Sequence, residues 1–113
     1  MAYGDVLLVD LPSSNGREQS GRRPTVVVQS NTASEPTLIV APITSNLRTL
    51  RFAFSVRVDP TSENGLTTAS VVLVFQLRAV DKVRIIRKLG QLSAADLARV
   101  EAEIWRLLRP PGP

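Results

Sequence analysis

The chain has 113 residues, with 14 Lys or Arg against 10 Asp or Glu, a net charge of +4, and neither cysteine nor histidine. That length makes one domain, 1–113, able to bury roughly 60–70% of its unfolded surface. The missing residue types exclude a disulfide framework, a Cys/His zinc site and any nucleophile activated by histidine. Every basic residue except Lys82 and Lys88 is arginine. Arginine suits two-pronged phosphate contacts and stacking on bases, although a GC-rich genome writes the same bias. The aromatic residues are only Tyr3, Phe52, Phe54, Phe75 and Trp105, so the core must be mostly aliphatic. No apolar run approaches the ~20 residues of a membrane span. The N-terminus has no basic stretch leading into an apolar one, so a cytoplasmic protein without membrane association is expected.

In chain order, Val6 to Val9 is a short apolar run bounded by turn formers, which predicts a strand buried on both faces. Residues 12–23 are polar and rich in Gly and Ser, and a loop of that length is expected to be mobile or functional. Pro24 to Gln29 predicts a second strand with Pro24 at its first position, and Thr37 to Ile43 a third, where Pro42 implies an edge or a bulge. Phe52 to Val58 alternates, placing Phe52, Phe54, Val56 and Val58 on one face. Ser70 to Leu77 predicts a central strand, and Val83 to Leu89 a short strand or a helical turn. Ser93 and Asp96 open a helix over about 93–109. Leu97, Val100, Ile104 and Leu107 form its apolar stripe, with Trp105 and Leu108 widening it. Strands followed by one helix make a mainly β (α+β) protein, an antiparallel sheet or small barrel with a C-terminal helix packed on it.

Gly4-Asp5-Val6, Glu18 to Pro24 (EQSGRRP), Pro42-Ile43-Thr44-Ser45, Gly65-Leu66, Val71 to Asp81 (VVLVFQLRAVD) and Leu89 to Ser93 (LGQLS) together resemble segments of the MazF/PemK-type toxins of bacterial toxin–antitoxin pairs. They occur in the family's order across nearly the whole chain. The resemblance implies an SH3-like antiparallel barrel, a homodimer, cleavage of single-stranded RNA at short sequences, and neutralisation by a cognate antitoxin. It implies no metal and no cofactor.

The chemistry is compatible with the composition. RNA carries its own nucleophile, the 2′-hydroxyl, so a ribonuclease that uses it needs positioning, charge stabilisation and help with a proton. By the resemblance, Arg23, Thr44 and Glu18 are the catalytic residues. Arg23 would stabilise the transition state, Thr44 would bond a phosphate oxygen or orient the 2′-hydroxyl, and Glu18 would accept a proton or organise the loop. Gln19, Arg22, Ser45, Asn46, Gln76 and Arg78 are the RNA-contact candidates, with Arg78 either bonding phosphate or pairing with Asp81. Taken alone, each of these is as readily a solvated loop or turn residue. Phe75 departs from the family, which often has an acid before the glutamine. It cannot take a proton, so either Glu18 and Thr44 do that work or activity is low. Its ring either packs in the core or rim, or stacks a base. Two other readings remain open. One is a DNA gyrase poison of the same barrel, which Trp105 suggests, although its place beside the stripe points to core packing. The other is a catalytically inactive relative. An SH3-like adaptor lacks the expected aromatic groove.

Overall fold

The computed structural model describes every residue except 13–15, 17, 33 and 113. Its strands are β1 (Asp5–Leu11), β2 (Gly21–Val27), β3 (Thr37–Thr44), β4 (Ser55–Val58), β5 (Ser70–Leu73), β6 (Arg78–Asp81) and β7 (Ile85–Gln91), followed by helix α1 (Ala94–Leu108). All pairings are antiparallel, in the order β4-β5-β3-β2-β1-β7, with β6 also on β3.

β3 is the hub. Along Thr25–Val27 it pairs with β2; on its other side it pairs with β6 over Thr37–Val40 and with β5 over Ile43–Thr44. Pro42 lies in the gap between the β6 and β5 pairings, where a residue without an N–H loses no ladder bond.

Neighbouring residues of one strand enter different cores. Val6, Val26, Ala41 and Ile43 pack with Val56, Val58, Val72, Val74 and Val100 under α1. Leu7, Val9, Leu11, Val27, Leu38, Val40 and Val80 form a second core. That double coverage is why Val6 to Val9 reads as a continuous apolar run rather than an alternation.

Several expectations need correction. β2 begins at Gly21, not Pro24, because Arg22 and Arg23 pair with Asp10 and Val9 of β1. Pro24 is tolerated inside the strand because β3 joins β2 only from Thr25. Of the stretch expected to be a loop, residues 13–15 and 17 lie outside the described residues. The alternation at Phe52 is not a strand: Leu47–Arg51 is a 3-10 turn and Phe54 has φ 60°, so the strand starts only at Ser55. The predicted 70–77 strand stops at Leu73, giving way to a 3-10 turn, Val74–Gln76, before the separate strand β6.

The helix has the expected cap, with Ser93 Oγ accepting from Asp96 N–H at 3.1 Å. Asp96 does not complete a reciprocal box; its carboxylate pairs with Arg99 at 2.6 Å. Val100 is buried, and Leu97, Ile104 and Leu107 pack partly against the same core. Trp105 does not pack as expected. It is 74% exposed, and Leu108 is exposed beside it. Successive residues turn about 100° around a helix, which carries Trp105 off the face that Ile104 and Val100 present.

Two glycines of the family-like segments have a steric reason. A Cβ at Gly65, where φ is 70°, would lie 2.2 Å from the Leu89 carbonyl oxygen, and one at Gly90 would lie 2.1 Å from that of Glu63. Buried Asn64 ties this crossing together. Its Oδ1 accepts from Thr61 N–H and Leu66 N–H, each at 3.0 Å, and its amide donates to the Asp59 carbonyl. Gly21 differs, having nothing within 4 Å of a Cβ but a φ of 79°. Gly90→Ala should therefore lower stability by about 3 kcal/mol, since backbone must shift, and Gly21→Ala by about 1 kcal/mol from φ strain alone. Urea denaturation of the two variants checks this ranking.

Tyr3 gives a second test. Burial, reinforced by a hydrogen bond to the Glu101 carboxylate and by its charge, pushes its hydroxyl from 10.0 up to about 12. The folded state holds this proton more tightly than the unfolded one. Its contribution to stability is thus complete below pH 10 and lost as pH rises through 12. Ultraviolet titration of this single tyrosine should give a midpoint near 12 that falls in Glu101→Gln. A midpoint near 10 in the folded protein would contradict the contact.

Candidate functional site

The C-terminal end of β3 delivers Thr44 to the surface beside the middle of β2. Thr44 is only 6% exposed, and its hydroxyl oxygen accepts from Asn46 N–H at 3.2 Å. Together with Arg23 and Ser45, Thr44 lines a cleft of about 360 Å³ floored by Leu8, Ile43 and Leu66. The opposite wall carries Thr67, Thr68, Ser70 and Arg87. Among the described residues no Asp or Glu lines the cleft, and two arginines do. Its chemistry is that of a site for an anion, held by guanidinium and hydroxyl donors.

Arg23 is braced. Its Nε donates to the Ser20 carbonyl at 2.9 Å, which leaves the two terminal nitrogens of the fork for a ligand. The next residue back is also fixed: Gln76 Oε1 accepts from Gln19 N–H at 2.9 Å, and Arg78 Nη1 donates to the Gln19 carbonyl at 3.2 Å. Residues far apart in sequence therefore hold the segment that supports Arg23. Among the described residues, Arg78 forms no ion pair with Asp81.

The other candidates are spread around this centre. Glu18 is exposed and is not part of the cleft lining. Arg22 is exposed on β2 opposite Asp10. Asn46 also lies outside the lining, and its Oδ1 accepts from Arg48 N–H at 3.1 Å to cap the 3-10 turn. Gln76 and Arg78 reach the Gln19 backbone, not the cleft.

Residues 2–108 match the PemK-like, MazF-like toxins of type II toxin–antitoxin systems. The chain belongs to that family. Among its relatives is Endoribonuclease MazF of Staphylococcus saprophyticus, 38% identical over 106 residues that span 92% of this chain and 88% of that protein. The crystal structure of MazF from Deinococcus radiodurans has a TM-score of 0.79 at 27% identity and covers 96% of both chains. That of MazE–MazF from the same organism has a TM-score of 0.73 at 26% identity, covering 96% of this chain and 95% of that one.

In this toxin, the sequence reading missed Arg87, Ser70 and the Thr67–Thr68 pair. Arg87 sits on β7 opposite Leu8, and Pro24 of β2 pairs with Leu8 from the other side, so only the register places Arg87 in one row with the residue that follows Arg23. Its sequence neighbourhood, Arg84-Ile85-Ile86-Arg87-Lys88, gives no such signal. If Arg87 contacts phosphate, Arg87→Ala should reduce the slope of log affinity against log salt for single-stranded RNA by about 0.7. An unchanged slope would remove Arg87 from the contact surface.

Proposed function

We propose that this endoribonuclease toxin cuts single-stranded RNA at a short recurring sequence, using the RNA's own 2′-hydroxyl and no metal. The observation that carries this reading is the convergence of Arg23, Thr44, Ser45 and Arg87 on one acid-free cleft. The 2′-oxygen attacks the adjacent phosphorus and loses its proton. The P–O5′ bond breaks, and the leaving oxygen takes up a proton. The products are a 2′,3′-cyclic phosphate and a 5′-hydroxyl end.

Arg23 and Arg87 meet the charge that develops on the non-bridging oxygens. The effect is large where a guanidinium is held in place before the reaction, as that of Arg23 is by the Ser20 carbonyl. Thr44 donates its hydroxyl proton to a phosphate oxygen or orients the 2′-hydroxyl, and Ser45 adds a second donor. Glu18 is the nearest carboxylate in sequence to this machinery and serves as proton acceptor or loop organiser. Arg22 and Asn46 contact the strand outside the cleft. The Gln19 side chain reads a base edge. Its Oε1 is buried and has no hydrogen-bond partner among the described residues, and a donor from a bound base would relieve that unpaired group. Gln76 and Arg78 act by fixing the Gln19 backbone as well as by touching RNA.

A cognate antitoxin, a homodimeric assembly and a cytoplasmic location complete the reading. The MazE–MazF structure of a relative supports the first of these. Among the described residues no helix is long and apolar enough to cross a membrane. One observation favours a second reading: Trp105 is exposed near the C-terminal end of the helix, where a gyrase-directed poison of this fold would present it.

The test is incubation of the protein with a long unstructured RNA in excess EDTA, with end mapping. Cuts at a recurring sequence with cyclic phosphate ends, slowed roughly 100–1000-fold in Arg23→Ala, are the expected result. Intact RNA with folded protein overturns the nuclease reading, and inhibition of gyrase supercoiling that depends on Trp105 would then establish the second.

A further inference from the structure

Two aromatic rings from different segments meet at the surface. Phe52 follows the 3-10 turn Leu47–Arg51, which begins just after the Thr44–Ser45 corner of the cleft. Phe75 lies in the second 3-10 turn, next to the glutamine that holds Gln19. The ring centroids are 5.5 Å apart and tilted by 57°. The Arg51 guanidinium lies over the Phe52 ring, 4.9 Å from its centroid. Phe52 stays 40% exposed. The aromatic pair is thus fixed in position but only partly withdrawn from water.

The two segments that carry the rings bring charge of one sign. No Asp or Glu occurs between Glu35 and Asp59, nor between Glu63 and Asp81, so neither segment brings an acid to the pair, while the first brings Arg48 and Arg51. An apolar protein surface would gain nothing from that cationic rim. An unpaired nucleobase would: its face lies on an aromatic ring, a guanidinium stacks beside it, and its phosphates meet the arginines.

We propose that Phe52, Phe75 and Arg51 form a stacking platform for one unpaired base of the bound RNA, near the nucleotide whose phosphate occupies the cleft. This rests on the RNA reading above. Because every base has a π-face, the platform supplies affinity and register rather than sequence readout.

The experiment uses the shortest RNA that the wild type cuts, blocked by a 2′-O-methyl group at the cut nucleotide. Binding is read by fluorescence anisotropy for the wild type, Phe52→Leu and Phe75→Leu, each against RNAs carrying an abasic residue at successive positions. One abasic position should weaken wild-type binding roughly 5- to 100-fold. Each leucine variant should lose a similar factor on intact RNA and little more on that abasic RNA. Wild-type affinity in both variants overturns the proposal, as do losses that multiply at every position. A change of oligomeric state in light scattering would also overturn it, since the patch would then be a subunit contact. If Phe75→Leu fails to fold, the exposed Phe52→Leu decides alone. If the wild type cuts nothing, the same variants are compared on an oligouridylate of about ten nucleotides, within the site size of such surfaces. Binding that depends on Phe52 and Phe75 would keep the platform while the nuclease reading falls, and no dependence would remove both.

Discussion

β3 changes partners at a residue that has no N–H to give. Below Pro42 its outer edge is satisfied by β6 and above it by β5, while β2 runs along the other side. Backbone donors inside a sheet must be paired, so the switch of partner has to fall where a donor is already missing. The consequence is geometric. The end of β3 belongs with β4 and β5, which cover the first core, and the rest belongs with β1, β2 and β6. Thr44 stands at the end of that strand, beside the strand that carries Arg23. The pairing of β2 with β3 ends at Thr25 and Pro42, and Arg23, Pro24, Ile43 and Thr44 beyond that point line the cleft.

The residues around the cleft divide into those that face it and those that keep others in place. Gln76 and Arg78 grip both the N–H and the carbonyl of Gln19, and Ser20 braces Arg23 from its carbonyl. A guanidinium on a free loop would lose rotamer freedom on binding an anion. One already held by its Nε loses less. On the far wall, Asn64 and the Gly65–Leu89 and Gly90–Glu63 approaches set the loop that carries Leu66 to Ser70. The glycines that look like family signature are therefore there for sterics, and their contribution to the site is the position of the Thr67–Ser70 wall.

Much of the fold was legible where one physical signal dominated. The apolar run Val6–Val9 and the spacing Leu97, Val100, Ile104 reflect burial directly, and Ser93 caps the helix as its type suggests. The signal failed where a pattern had two explanations. Phe52-Ala53-Phe54 alternates like a strand, but Phe54 at φ 60° ends any strand there, and nothing in its side chain announces that. Trp105 is apolar and adjacent to the stripe, yet one residue off the stripe is enough to expose it. In the site, Arg23 and Thr44 were singled out by resemblance and meet at the cleft, whereas Glu18 was singled out the same way and lies outside the lining. Arg87 was invisible because its partners come from strand register, which is long-range information that a local reading does not hold.

The absence of histidine narrows how such a site can work. Among the described residues the cleft lining contains cations and hydroxyls and no carboxylate, and at position 75, outside that lining, a phenylalanine replaces the acid common in the family. Such a set answers the charge on a phosphorane well, because positive groups in a partly enclosed site stabilise it without reorganising. In the reaction proposed above it would do little for the proton leaving the 2′-hydroxyl, and general acid–base help with such a proton is typically worth about 10²–10⁴ in rate. The remaining route to rate is geometry. In-line placement of the 2′-oxygen, the phosphorus and the leaving oxygen can replace a large part of the missing acceleration, and placement comes from contacts along the strand rather than at the phosphate. Under the proposed reaction, the toxin would rely on its bracing network and on whatever grips the neighbouring nucleotides, which would place specificity and catalytic power in the same set of contacts.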